Sequence, residues 1–177
     1  KRCSEILKQI SKNPYSEKED KFFDKASFKI LVHEIVDSFK DLSKKRIIIN
    51  ENDYKKDYLI TKKIEIIYSL KNIIDNALKF SSNKIEIFLS SNENELRIKV
   101  EDDGEGFSKQ ILGILGDPYI NKRDLDNNKE GLGLGIFIAK VFLERLSAII
   151  NFYNLEDRGA AVDISWQKKD LINLKLI

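Results

Sequence analysis

The chain is 177 residues long and 42% hydrophobic, enough to bury one sizeable core in a single domain with an appendage. Its 31 basic residues nearly balance 29 acidic ones, and a net charge of +2 without one-sided charge runs or aromatic-basic interleaving argues against nucleic-acid or membrane-surface partners. No apolar run approaches the roughly 18 residues that cross a bilayer and no signal-peptide pattern opens the sequence, so this stretch is expected to be soluble. Cys3 is the only cysteine, which excludes an internal disulfide or a paired-cysteine metal site and fits a reducing compartment. There is no methionine, so the chain is expected to be part of something longer, whose other parts leave room for a membrane anchor.

Cys3, Ile6, Leu7 and Ile10 recur at helical spacing over residues 1–12, and Asn13-Pro14 ends the run. A short helix with one apolar stripe needs a partner, so residues 1–13 read as the tail of an upstream helical element and 14–21 as a linker to the main domain. Phe28, Leu31, Val32, Ile35, Phe39 and Leu42 predict an amphipathic helix. His33 falls on its opposite face, where the pair His33-Glu34 reads as exposed and solvated.

Arg46 to Asn50 predicts a short strand, residues 51–61 a polar turn followed by a second short strand at Tyr58-Leu59-Ile60. Residues 63–80 predict a long helix that buries Ile66, Ile67, Leu70, Ile73, Ile74, Ala77 and Leu78. Asn72, Asn76 and Lys79 gather on its other side, a face that on its own reads as solvation.

Lys84 to Ser90 and Glu95 to Glu101 follow as two strands. Leu96, Ile98 and Val100 share one face of the second, and the alternation carries Asp102 onto that same apolar face while Asp103 points away. An ionised carboxylate there is costly unless donors meet it, and Gly104 and Gly106 let the backbone turn sharply beside it. Taken alone, Asp102-Asp103-Gly104-Glu105-Gly106 is an ordinary turn at a strand end.

Residues 113–131 are polar, carry Gly113, Gly116 and Pro118 and show no sustained period, which suggests a functional lid. Gly131-Leu132-Gly133-Leu134-Gly135 then runs into Ile136 to Leu146, a helix apolar on nearly all sides. Alternate glycines at a helix start bare the backbone N–H groups to a phosphate, though dinucleotide-binding loops, protein-kinase loops and plain flexible turns use similar triplets. Two strands, Ala148 to Asn154 and Ala160 to Trp166, close the chain around the turn Leu155 to Gly159.

Three of these segments, in this order, resemble a known family. Asn72-Ile73-Ile74-Asp75-Asn76-Ala77-Leu78-Lys79-Phe80-Ser81 looks like the N box of sensor histidine kinases, Asp102 to Gly106 like their G1 box and Gly131 to Gly135 like their G2 box. The likeness covers about residues 22–168 and implies the GHKL-type ATP-binding fold, an α/β sandwich with helices on one face of a mixed, mostly antiparallel sheet. It implies a catalytic and ATP-binding domain over residues 22–177. It also implies that Asp102 accepts the adenine amino group, that Asn76 coordinates Mg²⁺, that Lys79 meets the phosphates and that Phe80 packs on adenine. Asn72 joins Asn76 and Lys79 in the implied catalytic group. Gly104 and Gly106 shape the turn beside the base, Gly131, Leu132, Gly133, Leu134 and Gly135 approach the phosphates, and Lys122 and Arg123 in the lid contact the γ-phosphate.

The implied reaction moves the ATP γ-phosphoryl to a histidine on a dimerisation hairpin outside this chain, in a homodimer that serves a response regulator. His33-Glu34 lacks the Thr-Pro or similar pair that typically follows the family's acceptor and lies inside the domain's leading helix. The resemblance also implies a parent protein anchored in the bacterial inner membrane, with this domain in the cytoplasm. Gyrase, Hsp90 and mismatch-repair ATPases of the same superfamily carry a Glu base where this chain has Asn72, and a neutral amide cannot take a proton. A non-catalytic nucleotide-binding module is the remaining alternative.

Arg2-Cys3-Ser4-Glu5-Ile6-Leu7, Leu115 to Tyr119, Gly135 to Lys140 and Leu143-Glu144-Arg145 look most like the RegB/PrrB redox-responsive kinases. That likeness makes Cys3 a redox candidate. A small buried residue on a helix seam is its other reading.

Overall fold

The computed structural model describes residues 25–40, 42–116 and 134–173. Seven strands and five helices follow in the order β1 (Lys25–Ser27), α1 (Phe28–Lys40), β2 (Arg46–Tyr54), β3 (Leu59–Thr61), α2 (Ile64–Phe80), β4 (Lys84–Ser91), β5 (Glu95–Asp102), α3 (Lys109–Gly116), α4 (Leu134–Arg145), β6 (Ile149–Asn154), β7 (Ala160–Gln167) and α5 (Lys168–Asn173). Five strands form one sheet in the order β2-β4-β5-β7-β6, with β2 parallel to β4 and every other pair antiparallel. β1 and β3 form a separate antiparallel pair.

Period-2 alternation gives the sheet one apolar face. Ile87 lies across from Val100 and Val100 from Val162, while Leu89 meets Ile98 and Ile98 meets Ile164. All six are nearly or fully buried, and they form a single cluster with Phe28, Leu31, Val32, Ile35 and Val36 of α1 and Ile66, Leu70, Ile73 and Ile74 of α2. The opposite face is laced with charge. Lys99 sits over the Phe88 ring at 4.6 Å, and Arg97 forks onto the buried carboxylate of Asp163. Such cross-strand pairing lets an uncovered face stand in water.

The termini of α2 are managed by neighbours. Its last carbonyls receive the Lys45 ammonium, which donates to Leu78 and Ser81 at 2.6 Å each. A cation at a helix C-terminus meets both the unpaired carbonyls and the negative end of the macrodipole.

Several expectations need correction. Leu42, read as the last residue of the first helix's stripe, lies beyond α1 and is 83% exposed. The strand expected to stop at Asn50 runs on to Tyr54 through an irregularity between Asn50 and Asp53. Glu51, Asn52 and Asp53 read as turn because of their polarity, but an edge strand needs only one set of backbone partners and tolerates such residues. Residues 113–116 belong to α3 rather than to an unstructured lid, and β1 and α5 were not anticipated. His33 is half exposed, as expected of its face, but it is also paired, with Nε2 2.6 Å from Glu51 of β2. The upstream helix over residues 1–13, the linker 14–21 and Cys3 lie outside the described residues.

Trp166 is 1% exposed, meets the Phe28 ring edge-on at 5.8 Å, and its Nε1 finds no acceptor among the described residues. Trp166→Ala is expected to lower the unfolding free energy by about 3–5 kcal/mol. Trp166→Phe also discards an unsatisfied donor and should cost less than half of that, which urea unfolding of the two variants measures.

Candidate functional site

A cavity of about 480 Å³, part of it open to solvent, lies between the C-terminal half of α2, the end of β5, and the starts of β7, α3 and α4. Ile73, Val100, Ile136 and Val162 give it apolar walls, and Asn76, Phe80, Asp102, Gly106 and Phe107 also line it. An apolar cleft with few convergent polar groups suits a flat heteroaromatic ligand.

Asp102 arises from the strand pattern. It continues the buried row of Leu96, Ile98 and Val100 and lies across from Ile85 in the β4–β5 register. Its Oδ1 accepts N–H donors from Gly104 at 2.8 Å and Ala160 at 3.4 Å. Burial pushes its carboxyl above the ordinary aspartate value, and those two donors pull it part of the way back. Asp103 points away, as the alternation requires. It accepts backbone N–H groups from Ser82 at 2.7 Å, Asn83 at 2.9 Å and Lys84 at 3.2 Å. Partial burial opposes ionisation there, but the three donors outweigh it and hold the carboxyl low. The two carboxylates thus diverge in role: Asp103 ties the loop to the end of α2, while Asp102 faces the cleft.

Glycines make this convergence possible. A Cβ on Gly104 would collide with the Phe80 carbonyl, and one on Gly159, whose φ is +113°, would land on the Asp102 carbonyl oxygen. Gly106 has φ +84° and lies against the Asn154 side chain. From the hairpin turn, Arg158 Nε donates to the Gly104 carbonyl at 3.1 Å and Nη2 to Ser82 Oγ at 3.2 Å. The sequence shows Gly159 only as the end of a turn, and Arg158 and Lys45 carry no local signal.

The N-box side chains separate. Asn76 and Phe80 line the cavity, and Lys79 lies exposed with its ammonium 5.7 Å from the Phe80 ring. Asn72 does not line it. Its Nδ2 donates to the Tyr68 carbonyl at 2.8 Å, and its Oδ1 faces Gly135 so closely that a Cβ there would come within 2.6 Å. Leu134 and Gly135 begin α4. Lys122, Arg123, Gly131, Leu132 and Gly133 lie outside the described residues.

Residues 61–170 match the sequence profile of histidine kinase-, DNA gyrase B- and HSP90-like ATPases, well over half of the chain. The chain belongs to that ATPase family. Within it, the sensor histidine kinase RegB of Cereibacter sphaeroides is 33% identical over 131 residues, which cover 64% of this chain and 28% of RegB. A putative NtrY-like sensor histidine kinase of Rickettsia prowazekii is 24% identical over 153 residues, 84% of this chain and 25% of that protein. The catalytic domain of histidine kinase ThkA superposes with a TM-score of 0.66 at 17% identity, covering 81% of this chain and 95% of that one, a likeness of fold. The mixed, mostly antiparallel sheet with its helices is the GHKL architecture anticipated from the boxes. The chain is an ATP-binding domain of the sensor histidine kinase kind. It spans little more than a quarter of the length of these curated relatives. No helix among the described residues is long and apolar enough to cross a membrane.

Folding raises the Asp102 pKa, so the carboxylate opposes stability as pH rises above its unfolded value of 3.8 and through the folded one. Asp102→Asn keeps an oxygen for Gly104 and Ala160 and removes the charge. At pH 7 the nucleotide-free variant is expected to be as stable as the parent or more so, with that advantage vanishing below about pH 4. Gly159→Ala is expected to cost at least about 2 kcal/mol, since backbone must move to admit the methyl. Denaturant unfolding across pH checks both.

Proposed function

We propose that this chain is the catalytic part of a two-component sensor kinase: it binds Mg-ATP and passes the γ-phosphoryl to a histidine on a dimerisation hairpin elsewhere in the protein. One observation carries most weight. A half-buried carboxylate, already committed to two backbone donors through one oxygen, ends an apolar cleft and leaves its second oxygen for an exocyclic amine. Asp102 then accepts from the adenine amino group, and Ile73, Val100, Ile136 and Val162 hold the base between apolar walls. Phe80 and Gly106 edge the same space, with Gly104 fixing the turn behind them.

Among the described residues no cluster of three or more His, Cys, Asp or Glu could hold a metal. The chemistry still suits Mg²⁺, which keeps its waters and takes most other oxygens from phosphates, so the amide oxygen of Asn76 is a sufficient protein ligand. When bound, the ion neutralises charge between the phosphates. Lys79 adds a point charge beside them, and Lys122, Arg123 and the run Gly131 to Gly135 supply donors at the γ-phosphate end. Asn72 offers a neutral amide where water-activating ATPases need a base, which favours transfer to a protein histidine over hydrolysis.

The acceptor hairpin, of which residues 1–13 are the tail and 14–21 the connection, is the domain's first partner, and a response regulator receives the phosphoryl group afterwards. The parent protein is anchored in a bacterial inner membrane with this domain in the cytoplasm. The likeness to RegB supports redox-responsive signalling, with Cys3 as the thiol.

Three measurements test the reading. Incubated with Mg-ATP and a separately prepared dimerisation hairpin, the chain is expected to place acid-labile phosphate on the hairpin. A robust ATPase rate without labelling would favour the gyrase-like alternative instead. Asn76→Ala and Lys79→Ala should weaken Mg-ATP binding by about tenfold or more while sparing AMP, because they act at the phosphate end. Gly133→Ala should weaken ATP binding with the fold intact by far-UV circular dichroism.

A further inference from the structure

We infer that Asn154, an exposed residue at the end of β6, is a positioning residue that sets one wall of the nucleotide pocket by clamping the backbone of Phe107. Its Oδ1 accepts the Phe107 N–H at 2.7 Å and its Nδ2 donates to the Phe107 carbonyl at 2.9 Å. One side chain thereby satisfies both main-chain groups of a residue in no strand or helix, 47 positions away. The pairing defines the amide orientation, since the flipped form would set donor against donor and acceptor against acceptor.

Three consequences converge on the pocket. Phe107 lines the cavity, and its ring meets Phe152, two residues before Asn154, edge-on at 6.2 Å. Gly106 is packed against the same amide, with a Cβ there coming within 2.8 Å of Oδ1, so the clamp and the G1 turn constrain each other. One residue beyond Phe107, Ser108 Oγ receives the Ile111 N–H at 3.3 Å at the start of α3, and Ile111 lines the cavity as well. Fixing residue 107 therefore sets the aromatic wall, the exit from the G1 turn and the point from which α3 places Ile111. None of these groups lies on the α2 face that carries Asn76 and Lys79. Asn154 acts at the end of the pocket occupied by the base, where ATP, ADP and AMP are alike.

This rests on the adenine-nucleotide reading of the site, and the test separates the two. Binding of ATP, ADP and AMP, each with Mg²⁺, is measured by calorimetry on the 177-residue chain, on Asn154→Ala, on Asn154→Asp and on Asn151→Ala, an exposed control on the same strand. Asn154→Ala is expected to weaken all three nucleotides by the same factor, about tenfold, with the thermal midpoint of the nucleotide-free chain unchanged. Asn154→Asp keeps the acceptor for the Phe107 N–H and loses the donor to its carbonyl, so a smaller common loss, roughly threefold, is expected. Asn151→Ala should bind as the parent does. Unchanged affinity in Asn154→Ala, a loss that grows with phosphate number, or a loss matched by a lower thermal midpoint would each overturn the positioning role. A parent chain that binds none of the three nucleotides would overturn the site reading itself and the clamp with it.

Discussion

The structure depends on how β5 ends. An apolar strand face terminates in the Asp102 carboxyl, and the chain must meet that group with donors without drowning it in water. Gly104 and Ala160 supply one oxygen with donors, and Gly159 brings the β7 backbone close enough for Ala160 to reach it. On the proposed reading the second oxygen serves the base of the nucleotide. Burial still outweighs the donors, because the Asp102 carboxyl titrates above its ordinary value. The apo domain therefore carries an electrostatic penalty that a hydrogen-bonding base would relieve, the usual conflict between a stable fold and a prepared site.

A second constraint is the seam between α2 and α4. Ser69, fully buried, donates to the Ala139 carbonyl at 3.3 Å, Tyr68 meets the Phe142 ring edge-on at 5.7 Å, and Gly135 admits the Asn72 amide. Small residues on facing turns let the helices approach closely, so the N-terminus of α4 is fixed against the helix that carries Asn76. The last glycine of the G2 run is thus a packing residue. That packing is a second demand on the glycine beside the proposed phosphate approach, because a Cβ there would meet the Asn72 side-chain oxygen. Asn72 correspondingly spends its donor on the Tyr68 carbonyl and turns its oxygen to α4. A residue so engaged suits coupling between the two helices better than contact with a substrate.

What could be read in the sequence had a short-range physical cause. Period 3.6 located α1 and α2 to within a few residues, and period 2 placed Asp102 and Asp103 on opposite faces, because each depends only on which residues seek burial. The same rule failed where burial was partial. β2 has polar residues beyond Asn50 and still pairs with β4 through Tyr54, and Leu42 continues a helical stripe that the chain abandons at Lys40. β1 and α5 are too short to display a period at all. Lys45, Asn154 and Arg158 were illegible for another reason. Each is an ordinary polar residue whose role exists only once a strand end or a hairpin turn has brought it to a distant backbone group. Gly159 stood in plain view as a turn residue, yet the atom that requires it belongs to Asp102.

These clamps share a design that separates the two ends of the proposed nucleotide site. At the proposed base end, Asp102 is held by strand register, the Asp103 carboxylate by three backbone N–H donors, the Gly104 carbonyl by Arg158 and the Phe107 main chain by Asn154. Each bond is modest, but they act on residues 102, 103, 104 and 107 of one short stretch, so displacing any one strains its neighbours. At the other end, Asn76 and Lys79 project from a single helix whose C-terminus Lys45 secures. A rigid frame around a flat base costs little on binding because it is already ordered. Phosphates, by contrast, change charge and geometry during transfer, and on the proposed reading they fall to side chains, Asn76 and the exposed Lys79, rather than to a clamped main chain.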